Sequence, residues 1–160
     1  MVTGLPKQFH VSIKHRNHLG AMTKDVMIVQ NDICEADFTT MALDDFFTHS
    51  GYDSLAVTTV GGHRALHAGN ANTDNKVKYD GGNNDQLVIL SEVILHPDNN
   101  SQIFNFGNAS GYHRGDINMD GLVKFDGARN DRFVTQFIVF FYPLNETKLN
   151  NFNNMIEQMP

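Results

Sequence analysis

Gly115-Asp-Ile-Asn-Met-Asp-Gly-Leu-Val-Lys-Phe-Asp-Gly-Ala-Arg-Asn-Asp131 lines up without a gap on Gly69-Asn-Ala-Asn-Thr-Asp-Asn-Lys-Val-Lys-Tyr-Asp-Gly-Gly-Asn-Asn-Asp85. Asn70 corresponds to Asp116 (116 − 70 = 46), and the same step carries Pro97 to Pro143. A fixed internal period means one supersecondary unit used twice. Each copy has a polar loop, then an apolar segment (87–95 and 133–142), then a proline that a helix cannot pass. Asp85 and Asp131 stand where N-cap or first-turn acids belong. Phe133, Val134, Phe137, Ile138 and Phe141 fit helical spacing, although a strand also suits so apolar a run. Core packing between the two units is the role expected of them.

The residue types in the loops suit a hard divalent cation. Calcium takes six to eight oxygens, and an EF-type loop supplies them from alternate early residues and then from an acid at the start of the next helix. Asp116, Asn118 and Asp120 occupy positions 1, 3 and 5, and Gly121 takes the sharp turn at position 6. Leu122 offers a backbone carbonyl at position 7, with Lys76 as its counterpart, and Val123 ties the loop to its neighbour. Position 12 holds Gly127, so the pattern departs from a simple EF-hand. An insertion that delays the helix makes Asp131 the expected bidentate ligand, with Asp126 (like Asp80 in the first copy) either an outer ligand or a turn residue. The first copy offers Asn70, Asn72, Asp74 and Asp85, with Asn75 at the glycine position. Asn70 replaces a carboxylate, so the second loop is expected to bind more tightly. Magnesium is a weaker fit, because it seldom uses an all-protein cage.

Upstream of the repeat the chain reads as β. Phe9, Val11 and Ile13 alternate with His10, Ser12 and Lys14; Val26 to Val29 and residues 36–39 suggest two more strands. Residues 44–49 read as a helical turn or a loop, and the apolar run 55–60 is broken by Gly61-Gly62. With 160 residues, 41% hydrophobic and 19% charged, the chain can bury a core. A net charge of −6 without basic runs argues against nucleic-acid or anionic-membrane partners. No apolar run is long enough to span a membrane. The single Cys34 excludes an intrachain disulfide or thiolate zinc site, and reads as a small residue in or near a strand. Residues 1–10 do not read as a secretory signal, so export would draw on a signal outside them.

The loops resemble the dockerin-type calcium loop, and more closely a duplicated variant found in secreted and surface, adhesin-like proteins of Bacteroidetes. That variant carries Gly-Asp-x-Asn-x-Asp-Gly-x-Val-Lys-Tyr-x-Gly-x-Asn-Asn-Asp twice, after a β-segment resembling Ser12-Ile-Lys-His-Arg-Asn-His-Leu-Gly-Ala-Met-Thr23. The resemblance covers about residues 5–143. It implies calcium at Asp116, Asn118, Asp120 and Asp131, and at Asn70, Asn72, Asp74 and Asp85. Relatives carry further strands before His15-Arg-Asn-His18, so the chain is expected to be a fragment or to accept strands from a partner, residues 9–14 offering an edge. The expected fold is α+β: a β-sheet or sandwich-like segment over 1–66, two dockerin-like calcium loop–helix units over 67–143, and a tail over 144–160.

Other chemistry is less well supported. His15 and His18 lack a third ligand at a suitable spacing, and Gly61-Gly62 argues against a helix that would pair His63 with His67. The carboxylates read as ligands rather than as an acid/base pair, so no catalysis is expected. Arg114-Gly115-Asp116 spells a receptor-recognition tripeptide whose acid is already assigned to calcium. Asn99, Asn108 and Asn145 lie in glycosylation sequons. Two functions remain: an extracellular or cell-surface calcium-stabilised structural or adhesive module, self-associating into a larger assembly, or a docking module for a separate protein.

Overall fold

The computed structural model describes residues 8–50 and 55–160; the opening stretch read for an export signal lies largely outside them. The described residues are α+β, with two helices and short antiparallel strand pairs. The N-terminal alternation folds as an interrupted hairpin. β1 (Gln8–Phe9) pairs with β4 (Met27–Ile28), and β2 (Ser12–Ile13) with β3 (Ala21–Met22). The break falls where Val11 N donates to the Thr23 hydroxyl at 3.2 Å, a side chain taking a ladder bond. Residues 36–39 are not the third strand expected. Asp37 accepts from the Thr39 amide and from the Thr39 and Thr40 hydroxyls, which favours a turn. Residues Leu43–Asp45 form one 3₁₀ turn, and Cys34 is exposed. β5 (Val57–Val60) and β6 (His63–Leu66) form a hairpin across Gly61 and Gly62, whose φ values of 57° and 85° suit a two-residue turn. The described residues thus hold two-stranded pairs where a sandwich-like layer was expected.

The two apolar segments of the repeat are helices: α1 (Gln86–Ile94) and α2 (Asp131–Phe140). Their capping oxygens come from the residues before the expected acids. Asn84 Oδ1 accepts Leu87 N at 3.3 Å, and Asn130 Oδ1 accepts Phe133 N at 2.7 Å. After each proline an asparagine closes the helix end. Asn99 Nδ2 donates to Val93 O and Ile103 O, and Asn145 Nδ2 to Val139 O and Leu149 O, all at 2.8–2.9 Å. These buried amides are helix stops, not open sequon side chains.

The repeat continues past Pro143, and its two copies interlock. β7 (Ala109–Ser110) pairs with β8 (Leu122–Val123), which belongs to the second loop. At the matching places 46 residues away, Lys76 bridges Ile156 and Val77 N donates to Met155 O at 3.0 Å. The segment after α1 therefore serves loop 115–131, while the segment after α2 serves loop 69–85. Packing follows the same exchange. Val77, Val139 and Met155 share one core cluster with Leu19, Phe46 and Tyr142. Val123, Val93 and Ala109 share the other with Ile89 and Ile117. Ile138 of α2 packs against both clusters. Each large apolar side chain buried here contributes about 1.5–3 kcal/mol. The 144–160 segment is also stitched to the N-terminal part of the chain beside β3 and β5: Gln158 Oε1 accepts Ala56 N, and Gln158 backbone N donates to Gly20 O.

The aromatic row of α2 departs from its expected role. Phe133, Phe137 and Phe141 are 59%, 50% and 55% exposed. They lie four residues apart on one face, while Asp131, Thr135 and Val139 take the buried face. Thr135 remains inside because its hydroxyl donates to Asp131 O at 3.0 Å. Val134 and Ile138 are the members of the set that pack on the core.

Candidate metal centre

Loop 115–131 is held by its own side-chain oxygens. Asp116, almost fully buried, accepts Asp120 N through Oδ1 at 3.1 Å and Gly121 N through Oδ2 at 3.2 Å. Asn118 Oδ1 accepts Asp120 N at 2.8 Å, and Asp120 Oδ1 accepts Leu122 N at 3.1 Å. Each polar side chain at positions 1, 3 and 5 thus folds back on a later amide, with positive φ at Met119 and Gly121 giving the tight turn. The fully buried Asp131 closes the loop across its base. Its Oδ1 accepts Ile117 N and Asn118 N at 2.8 and 3.1 Å, and its Oδ2 accepts Lys124 N at 2.8 Å.

Loop 69–85 repeats these bonds. Asp85 Oδ1 accepts Asn72 N at 3.1 Å and Oδ2 accepts Lys78 N at 2.7 Å. Asn72 Oδ1 accepts Asp74 N, and Asp74 Oδ1 accepts Lys76 N. Thr73 and Asn75 take the positive φ of Met119 and Gly121. The difference is at position 1. Asn70 is wholly buried, and neither its Oδ1 nor its Nδ2 has a protein partner. A buried amide left so costs about 1–3 kcal/mol, and a ligand on its oxygen would relieve part of that.

The electrostatics point the same way. Burial pushes the Asp85 carboxyl up to about 7 and the Asp131 carboxyl up to about 6, against the pull of the backbone N–H groups bonded to them. Asp74 and Asp116 add repulsion to Asp85 and Asp131 respectively. Two buried acids thus lack compensating positive charge. Among the described residues, however, no three His, Cys, Asp or Glu side chains come together as a metal site. The oxygens expected as ligands in each loop are a mixture of carboxylate, amide and carbonyl groups, of which only the carboxylates belong to those side-chain types. Asp80 and Asp126 face solvent: the first accepts Gly81 N at 2.8 Å, and the second stands 3.9 Å from Arg132.

Two residues from the N-terminal segment enter the site and were not among the expected ligands. Arg16 donates to Asp116 Oδ2 at 3.1 Å and lies 4.0 Å over the Tyr112 ring. It cancels the extra charge that distinguishes Asp116 from Asn70. Asn17 is fully buried between the two loops. Their only signal in the sequence was the His15-Arg-Asn-His18 segment. Its histidines face each other, Nδ1 to Nδ1 at 2.9 Å, and burial foremost lowers His18 to about 4. His63 and His67 fall on and just after a strand, and His67 packs on Tyr142. Asp116 is too buried to serve a receptor as part of Arg114-Gly115-Asp116. No protein-family model, curated protein or solved structure matches the chain.

Proposed function

We propose that this chain is a non-catalytic, extracellular calcium-binding module with a structural or adhesive role at a cell surface. One ion would sit in each loop. Asp116, Asn118, Asp120, Asp131 and the Leu122 carbonyl would hold one; Asn70, Asn72, Asp74, Asp85 and the Lys76 carbonyl would hold the other. The ion would supply the positive charge that the buried Asp85 and Asp131 lack. The observation that carries this reading is Asn70, buried at position 1 with no partner for its amide oxygen, in a loop bonded like its copy. Self-assembly, or strand donation by a partner near β1, belongs to the same reading.

Thermal unfolding in calcium, in magnesium and in chelator, with calorimetric titration, tests it. A calcium-specific rise and two equivalents bound are expected. At a hundredfold excess over its dissociation constant, one bound ion contributes about 2.7 kcal/mol. Identical melting in all three solutions would reduce the loops to turns. A second reading, a dockerin-like docking module for a separate protein, draws on the exposed Phe133, Phe137 and Phe141 row.

A further inference from the structure

Asn17 touches the first position of both loops. Its backbone carbonyl accepts Gly69 N at 2.9 Å and Asn70 N at 3.0 Å. Its side-chain Nδ2 donates to Arg114 O at 3.1 Å and to Asp116 O at 2.6 Å. The remaining amide oxygen faces His18 Nδ1 at 2.8 Å. The residue is 0% exposed, so the amide has no freedom to turn away from these partners. Its link to loop 69–85 is backbone, reinforced by the His18–Ala68 bridge and by Leu19 N on His67 O. Its link to loop 115–131 is side chain alone.

We infer that Asn17 couples the two loops, so that calcium in one raises the affinity of the other. This rests on the calcium reading above. An ion drawn to Asn70 or Asp116 needs that residue's backbone fixed at the first ligand position. Fixing one side orders Asn17, and Asn17 in turn orders the other side, so the ordering cost of the second ion is already met. The coupling is reciprocal. Asn17 acts as a positioning residue and ligates nothing itself.

The asymmetry of its two links makes the test clean, because Asn17→Ala removes the amide to loop 115–131 and keeps the carbonyl on loop 69–85. Calorimetric titration of the full chain with calcium alone gives two stepwise association constants. Asp120→Ala and Asp74→Ala give the constant of each remaining loop in isolation. The product of the wild-type constants should exceed the product of the isolated constants by about fivefold or more. In the Asn17→Ala background the two products should agree. Agreement already in the wild type overturns the coupling, and an excess that survives Asn17→Ala overturns Asn17 as its carrier; both leave the calcium reading intact. If Asn17→Ala fails to fold, Asn17→Asp, which keeps the shape but lacks the Nδ2 donor to Arg114 O and Asp116 O, makes the same comparison. No calcium uptake by the wild type would overturn the calcium reading, and this inference with it.

Discussion

Loops 69–85 and 115–131 share a backbone and a hydrogen-bond pattern, yet they solve the problem of position 1 differently. Asp116 brings a buried charge and receives Arg16 from a segment about a hundred residues away. Asn70 brings no charge and is left with both amide atoms unpartnered. Counted along the chain, the second loop has one more acid and should hold calcium more tightly. In the folded molecule the guanidinium offsets that acid, which on the calcium reading would bring the loops close to parity. Ligand charge is therefore a property of the assembled site, counter-ions included.

The largest test of this contrast is Arg16→Gln. It leaves Asp116 buried without its partner, which costs about 3–5 kcal/mol in calcium-free protein. Calcium should then restore more stability than it gives the wild type, since the ion replaces the missing charge. Urea unfolding with and without calcium reads both values. Equal destabilisation in the two solutions would separate Arg16 from the site. The interlock is tested next by Met155→Ala. Met155 is wholly buried beside Val77, and the change should cost about 2–5 kcal/mol. It should also weaken loop 69–85 more than loop 115–131, although Met155 follows the second loop in sequence. Calorimetry showing the opposite order would break the exchanged arrangement.

Asp120→Ala and Asp74→Ala compare the loops directly. Each should remove one loop's calcium-dependent stabilisation, up to about 2.7 kcal/mol at a hundredfold excess over the dissociation constant. The charge count makes Asp120→Ala the costlier of the two, and Arg16 narrows the gap. Thermal unfolding of both variants in calcium ranks them. A larger loss for Asp74→Ala would mean that the relieved burial of Asn70 outweighs ligand charge.

What the sequence made legible was local. Helical spacing, the acids Asp85 and Asp131 at the helix starts and Gly61-Gly62 all act within a few residues of their own position, and the 46-residue step only repeats such local signals. Contacts across the fold left no such pattern. Nothing near Arg16 announces Asp116, and nothing in residues 144–160 announces that Met155 and Ile156 complete the first loop's strand pairing. The Phe133, Phe137, Phe141 row shows a further limit. Helical period identifies a face, but an apolar face and a polar face tethered by Asp131 and Thr135 can exchange places when buried polar groups are satisfied.

The smallest effect is in the pH dependence, where opposing groups partly cancel. Without calcium, folded Asp85 and Asp131 titrate near 7 and 6, above the ordinary carboxyl value of 3.8. Between those values the folded chain holds protons that the unfolded chain has released, so their contribution to stability falls as pH rises. Burial, the foremost cause, lowers His18 and His67 from 6.5 to about 4. There the unfolded chain holds the extra protons, so their contribution rises with pH over that window. The calcium-free protein should therefore show a shallow profile up to about pH 6.5, then a slight fall as Asp85 finishes titrating. Calcium requires both carboxylates ionised and reverses their slope, so the loaded protein should gain stability through the whole range. Melting temperatures of calcium-stripped and calcium-loaded protein from about pH 4.5 to 7.5 would display the divergence. Parallel profiles would remove Asp85 and Asp131 from the ion's coordination and leave them as loop braces, bonded to backbone amides that include those of residues 72, 78, 117, 118 and 124.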